Sequence, residues 1–184
     1  MNYLSVAAKL MAASFVTSAC LVAPVAAGEL PADVQAKVEK AKKRLVELAA
    51  DPGVLAAVRE ANVRGPGGMN NGKWIEVEEG APAVKAVLTT SVSAQIAKWE
   101  QADPSVNKIV LRDQSGNLVA ASVRPLIFNN SNRPVFINPM KGHAWAADEI
   151  KPDPTTQVPS VHVAAPVMDS GKAIGVLHAG VTVK

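Results

Sequence analysis

The 184-residue chain holds a single cysteine, Cys20, and it lies within an N-terminal stretch that reads as an export signal. An exported remainder therefore has no thiol for a disulfide, a thiolate metal ligand or a cysteine nucleophile. Aromatic residues make up only 4%, and the one tyrosine is Tyr3, which leaves no base-stacking platform. Charge of one sign is scarce too. The formal net charge is +3 and much of the basic content sits in one short segment, which argues against a nucleic-acid or membrane-surface role. The chain lacks His-Glu-x-x-His, Cys-x-x-Cys and Gly-x-Ser-x-Gly, and has no Ser-x-x-Lys pair in a convincing setting. Its carboxylates are scattered singly, so it reads as a protein without catalytic machinery or a cofactor.

What is present is the composition of an ordinary globular domain, 48% apolar and 19% charged. Residues 1–27 carry one charge, Lys9, then an apolar run from Leu10 to Ala27 ending in Val25-Ala26-Ala27. Small residues stand at the positions a signal peptidase inspects, so cleavage before Gly28 and a periplasmic domain of residues 28–184 are expected. Two other fates compete. A retained membrane anchor is opposed by Pro24 and the small-residue exit. A lipid anchor on Cys20 is opposed by Thr17, which stands where bacterial lipoproteins usually carry leucine.

Beyond the signal, helical periodicity comes first. Val38, Ala41, Leu45 and Leu48 recur at spacings of three and four between Pro31 and about Ala50, with lysines and glutamates between them, which predicts an amphipathic helix. Its densest basic run, Lys40, Lys42, Lys43 and Arg44, reads as a solvated face. Asp51-Pro52-Gly53 interrupts, and Asp51 can cap a second helix from Val54 to Asn62. Arg64 to Gly72 holds four glycines and a proline, the composition of a mobile loop. A third helix is predicted after Pro82, with Val84, Val87, Leu88, Val92, Ile96 and Trp99 on one face, stopping before Asp103-Pro104.

From Val106 the period becomes that of strands. Lys108–Arg112 and Leu118–Ser122 flank Asp113-Gln114-Ser115-Gly116-Asn117, a hairpin turn in which Gly116 takes the left-handed conformation. Pro125 to Asp153 contains prolines at 125, 134, 139 and 152, with a candidate short strand at Val135–Ile137. A second hairpin runs from Ser160 across Asp169-Ser170-Gly171 to Val181. Helices first and an antiparallel sheet second make an α+β fold; no solenoid repeat is present.

The ordered set of the long first helix, Val54-Leu55-Ala56-Ala57-Val58-Arg59-Glu60-Ala61-Asn62, the hairpin from Val110 to Ser122 and the closing Ala165-Pro166-Val167-Met168-Asp169-Ser170-Gly171-Lys172-Ala173-Ile174-Gly175-Val176-Leu177 resembles the single-Cache domains, extracellular PAS-like sensors also called PDC sensor domains. The resemblance implies a central antiparallel sheet of about five strands, long N-terminal helices on one face and a small-molecule pocket on the other. It implies a ligand such as a carboxylate or an amino acid, and a signal passed across a membrane. No kinase or chemoreceptor module follows Lys184, so the expectation is a stand-alone module that binds its ligand and reports to a membrane-bound sensor partner. The aromatic and tyrosine pattern of the amino-acid-binding members is not met. Pairing into a homodimer through Val38, Ala41, Leu45 and Leu48 is one use of the first helix; packing on the sheet is the other.

Eight residues are candidates for ligand binding. With Asp169-Ser170-Gly171 as a three-residue loop, Met168 pairs with Lys172 and His162 falls opposite His178 on one face; a two-residue loop sends them to opposite faces. Between the hairpins, Lys141 and His143 can donate to a carboxylate, Trp145 can supply a flat wall and Asp148 can accept from an amine. Arg112 and Arg124, on or beside the first hairpin, can each fork to a carboxylate. A histidine metal site, with His143 as a third member, is a weaker reading. A ligand-independent interaction or assembly module is the principal alternative. Gly67-x-x-x-x-Gly72-Lys73 comes near a phosphate loop but has Trp74 in place of Ser or Thr, no strand before it and no clear helix at Lys73. Asn129-Asn130-Ser131 is a formal glycosylation sequon to which no role is attached.

Overall fold

The computed structural model describes residues 30–183, so the stretch read as an export signal, and Cys20 within it, lie outside the described residues. Among these, no helix is long and apolar enough to cross a membrane. The described residues open with α1 (Ala32–Ala49), whose buried stripe is Val34, Val38, Ala41, Leu45 and Leu48. That stripe packs on the sheet, so the residues that could have formed a dimer seam are its inner face. Asp51 caps α2 (Pro52–Arg64) by accepting from the Gly53 and Val54 amides at 2.8 and 3.3 Å, and Pro52 at the first turn has no amide to satisfy.

Three short helices follow where the periodicity suggested a loop and one helix. Asn71–Glu76 folds as α3, capped by the Asn70 side chain, so a helix does begin beside Lys73, whose ammonium is engaged by the Gly68 carbonyl at 2.8 Å. The helix expected after Pro82 is divided into α4 (Pro82–Leu88) and α5 (Ser91–Gln101). Thr90 causes the break: its hydroxyl accepts from the Ser93 amide at 3.0 Å, while Ser93 donates to the Val87 carbonyl. Local side-chain bonds of this kind compete with a continuous helix.

The strands are β1 (Val106–Asp113), β2 (Leu118–Ala121), β3 (Trp145–Ala146), β4 (Lys151–Pro152), β5 (Pro159–Asp169) and β6 (Lys172–Thr182). They form one antiparallel sheet ordered β2-β1-β6-β5-β3, with β4 also on β5. Gly116 in the first hairpin is left-handed, φ 82°, and a Cβ there would meet the Ser131 backbone. Val135–Ile137, expected as a strand, lies in the single-turn helix α6 (Pro134–Ile137), because Pro134 cannot donate to a ladder and suits the first turn of a helix.

The closing hairpin corrects the expected register. Asp169 pairs with Lys172 across a two-residue turn, Ser170-Gly171, with φ of 49° and 81°, the twist-matched geometry for such turns. That turn alone would part the histidines. A bulge at Ile174 adds one residue to β6, so Met168 faces Ala173 but Val167 faces Gly175. Beyond it, His162 lies opposite Gly180 and His178 opposite Ala164. The histidines share a face as diagonal neighbours rather than as a direct pair.

Alternation then sorts the sheet. Ile109, Leu111, Val161, Val163, Ala165, Val167, Leu177, Ala179 and Val181 face α1, α2 and α5 in one apolar core. The opposite face carries Val110, Arg112, His162, Ala164, Val176 and His178, and is covered near β2 by Trp74, Phe128 and α4. Segment 122–158 closes over the rest.

Candidate ligand-binding site

A cavity of about 460 Å³ lies on the face away from α1. Its sheet side is Lys108, Val110, Arg112, His162 and His178; its loop side includes Arg133, Trp145, Asp148, Glu149 and Asp153. Of the eight residues singled out from sequence, Arg112, Trp145, Asp148, His162 and His178 line it, and Arg124, Lys141 and His143 do not. Arg124 serves the fold instead, donating to the Trp74 and Val77 carbonyls at 2.7 Å each and to Glu79, with its guanidinium 5.0 Å from the Trp74 ring. Lys141 is exposed and bonds to Asn138 at 3.1 Å; His143 is exposed.

Arg112 lines the cavity but is not a ligand fork. It is 1% exposed, and its five N–H groups are all engaged. Nη1 donates to the Gly116 and Phe128 carbonyls at 3.2 and 2.7 Å, and Nη2 to the Ile127 carbonyl at 3.1 Å. Nε donates to His178 Nε2 at 3.1 Å. The Asn130 side-chain oxygen, in the amide orientation that satisfies the network, accepts from Nε and Nη2 at 3.2 and 3.3 Å. Arg112 thus pins segment 116–130 to the sheet through neutral acceptors. Burial pushes its pKa down to about 9, helped by the nearby Arg133 charge, so it remains a cation at neutral pH with no carboxylate bonded to it.

That bond dictates the state of His178. A guanidinium N–H only donates, so Nε2 must be a bare acceptor and the neutral ring carries its proton on Nδ1. Burial, then the charges of Arg112 and Lys108, hold His178 well below the usual histidine range. Nδ1 has no partner among the described residues, and no buried side-chain nitrogen or oxygen there is left without one. Nδ1–H is therefore accessible, and it is a donor the fold leaves open in the cavity wall.

Lys108 and Asp153 form the other polar group. Lys108 is the extra residue of a bulge in β1, left-handed at φ 68°, an uncommon conformation for a side-chain-bearing residue. Its ammonium bonds both Asp153 oxygens at 2.7 and 2.6 Å and Thr155 at 3.1 Å. Asp153, fully buried, also accepts from the Thr155 and Thr156 amides at 2.8 and 3.0 Å and meets His162 Nε2 at 3.2 Å. Burial alone would raise the Asp153 pKa, but the bonds from His162 and Lys108 and the Lys108 charge outweigh it and hold the carboxyl well below the carboxylate range. Burial lowers Lys108 against the opposing pull of Asp153. At 2.6–2.7 Å to both oxygens, the pair is ionised at neutral pH.

Arg133 is the residue that sequence reading passed over. It is exposed, lines the cavity, and has no ion-pair partner among the described residues. Its only sequence signal is the Arg-Pro step that opens α6, which places it at the cavity mouth. Lys108 and Arg112, four apart in an apolar strand, carried a clearer signal, since alternation puts both on one face. Asp153-Pro-Thr-Thr has the form of an Asp-led turn. Buried charge in the cavity is thus two cations against one carboxylate, with Arg133 adding a third cation at the mouth and Asp148 and Glu149 supplying acids at the rim. Among the described residues no group of three or more His, Cys, Asp or Glu is placed to hold a metal ion.

The architecture is a set of helices behind an antiparallel sheet with a polar cavity before it. A scan against protein-family models finds no match, and no curated protein matches the chain. Solved structures similar to it include the sensor domain of the histidine kinase DctB of V. cholerae, with 21% identity, a TM-score of 0.40, and 82% of this chain and 57% of that chain covered. The E. coli DcuS sensor domain gives 15%, 0.41, 78% and 92%. The ligand-binding domain of the Campylobacter jejuni chemoreceptor Tlp3, in complex with L-norvaline, gives 11%, 0.44, 80% and 60%. The chain spans under two thirds of the DctB domain's length. These are sensor domains of the kind the sequence resembles. At TM-scores below 0.5 the likeness carries nothing about the ligand.

Proposed function

We propose that the chain is an exported sensor-like module that binds a small organic anion in the cavity before the sheet and reports its occupancy to a membrane-bound partner. The observation that carries this reading is the cavity's unbalanced donor set: the Arg133 guanidinium without an ion-pair partner, the open Nδ1–H of His178, and the buried Arg112 charge behind it. A carboxylate fits such a set because it can accept from a guanidinium fork and an imidazole N–H at once. Trp145 and Val135 then offer apolar walls, while Asp148 and Glu149 favour a ligand whose far end is neutral or cationic.

The test is thermal unfolding of residues 28–184 with small mono- and dicarboxylates and their neutral amide analogues at millimolar concentration. Carboxylates should raise the melting temperature by mass action and amides should not. Arg133→Gln should abolish the rise while leaving the ligand-free melting temperature unchanged, since Arg133 is exposed and unpaired. No rise with any anion, together with ligand-independent cross-linking to a membrane protein in the periplasm, would favour an assembly module instead.

A further inference from the structure

A second groove lies on the opposite side of the sheet. Helix α1 packs over β5 and β6, α5 packs over β1, and α2 fills the space between them at one end only. At the other end a groove of about 360 Å³ runs between α1 and α5 down to the sheet. Its floor is Ile109 and Ala179, each 2% exposed or less, and its walls are Ala41, Leu45 and Leu48 on one side and Trp99 and Ala102 on the other. None of these side chains can bond to a polar ligand except the Trp99 indole, which can only donate.

The rim is different. Lys40, Lys43, Arg44, Glu47 and Asp103 line it, and the basic run of α1 thereby acquires a place in the fold beyond a solvated face. Lys40 bonds to Asp103 at 3.0 Å, reaching from α1 to the end of α5, and Arg44 bonds to Glu47 at 3.0 Å. Lys43 has no carboxylate partner among the described residues, so the rim carries one unbalanced cation above an apolar floor.

We infer that this groove binds an amphiphilic monoanion, a single-chain fatty-acid carboxylate, with the chain along Leu45, Leu48 and Trp99 and the headgroup at Lys43. A neutral polar ligand would lose its hydrogen bonds to water on this floor. A purely apolar one would leave the Lys43 charge unanswered, and a cationic one would add charge of the same sign. The site is separate from the cavity before the sheet and does not depend on the function proposed for it.

The probe is dodecanoate, titrated calorimetrically below its micelle concentration into residues 28–184 and into three variants. In Arg133→Gln, whose cavity before the sheet no longer takes a carboxylate, dodecanoate should still bind with one-to-one stoichiometry, while dodecyltrimethylammonium should not bind. Lys43→Glu should weaken binding about tenfold, the loss expected for a charge-assisted contact. Ala102→Trp, at an exposed position on the wall, should abolish binding by filling the groove, and a circular dichroism melt checks that the variant folds. Absence of binding, equal binding of the cationic amphiphile, or loss of binding in Arg133→Gln with none in Ala102→Trp would overturn the assignment.

Discussion

The two faces of this sheet are made by the same strands and do opposite things. In β1 from Ile109 and in β5 and β6, odd-numbered residues such as Leu111, Val163 and Leu177 meet the helices in a dry core, while even-numbered Lys108, Arg112, His162 and His178 line a cavity. The helix face is held by many interchangeable apolar contacts. The cavity face is held by a few polar bonds that have no substitutes, and those bonds leave a small number of donors open. The polar groups of this face thus divide in two: Arg112 and the Lys108–Asp153 pair are spent on holding the structure, and His178 and Arg133 are the groups to which the proposed function gives recognition.

The largest expected effect breaks the cavity face. Lys108→Met leaves Asp153 buried without its counter-ion and should destabilise by about 3–5 kcal/mol in urea unfolding, whereas Lys108→Met with Asp153→Leu should recover much of that loss. If the double variant is no better than the single one, the pair is not an isolated electrostatic unit. On the helix face, Ile96→Ala removes a fully buried side chain and should cost about 2–5 kcal/mol with no effect on carboxylate binding.

Acid should separate the faces as well. Because Asp153 is held below its unfolded value, the unfolded chain takes up a proton first as pH falls, so the stability Asp153 confers is present above about pH 4 and is lost below it. Urea midpoints measured from pH 6 to pH 3 should fall more steeply in the natural chain than in Asp153→Asn. The smallest effect concerns the turn that sets the histidine register. Ser170 holds φ of 49°, so Ser170→Asn should stabilise by a few tenths of a kcal/mol, read from the melting temperature.

The helix face was largely legible in the sequence, because periods of 3.6 and 2 report burial directly: Val38, Ala41, Leu45 and Leu48 were visible as a stripe, and the strands of both hairpins lay close to where they fold. Boundaries set by side-chain bonds were less so, since the Thr90–Ser93 cap is a local event inside an unbroken apolar pattern. The cavity was legible only in part. Trp145, Asp148 and the two histidines could be named from their types and places, but the histidines share a face through a turn and a bulge whose effects on register cancel, and neither leaves a mark in the spacing. Arg112 was visible as an arginine on a strand, yet its role depends on carbonyls of Ile127 and Phe128 that only folding brings near. Arg133 had no distinguishing neighbour except Pro134.

The most direct test of the account is the state of the His178 ring, read by two-bond nitrogen–proton correlation on uniformly labelled residues 28–184 from pH 5 to pH 8, before and after addition of a carboxylate that raises the melting temperature. The account predicts a neutral ring with its proton on Nδ1 across the whole range, and a shift of that proton when the ligand is added. A ring protonated on Nε2, or one that titrates between pH 5 and 8 and ignores the ligand, would contradict it.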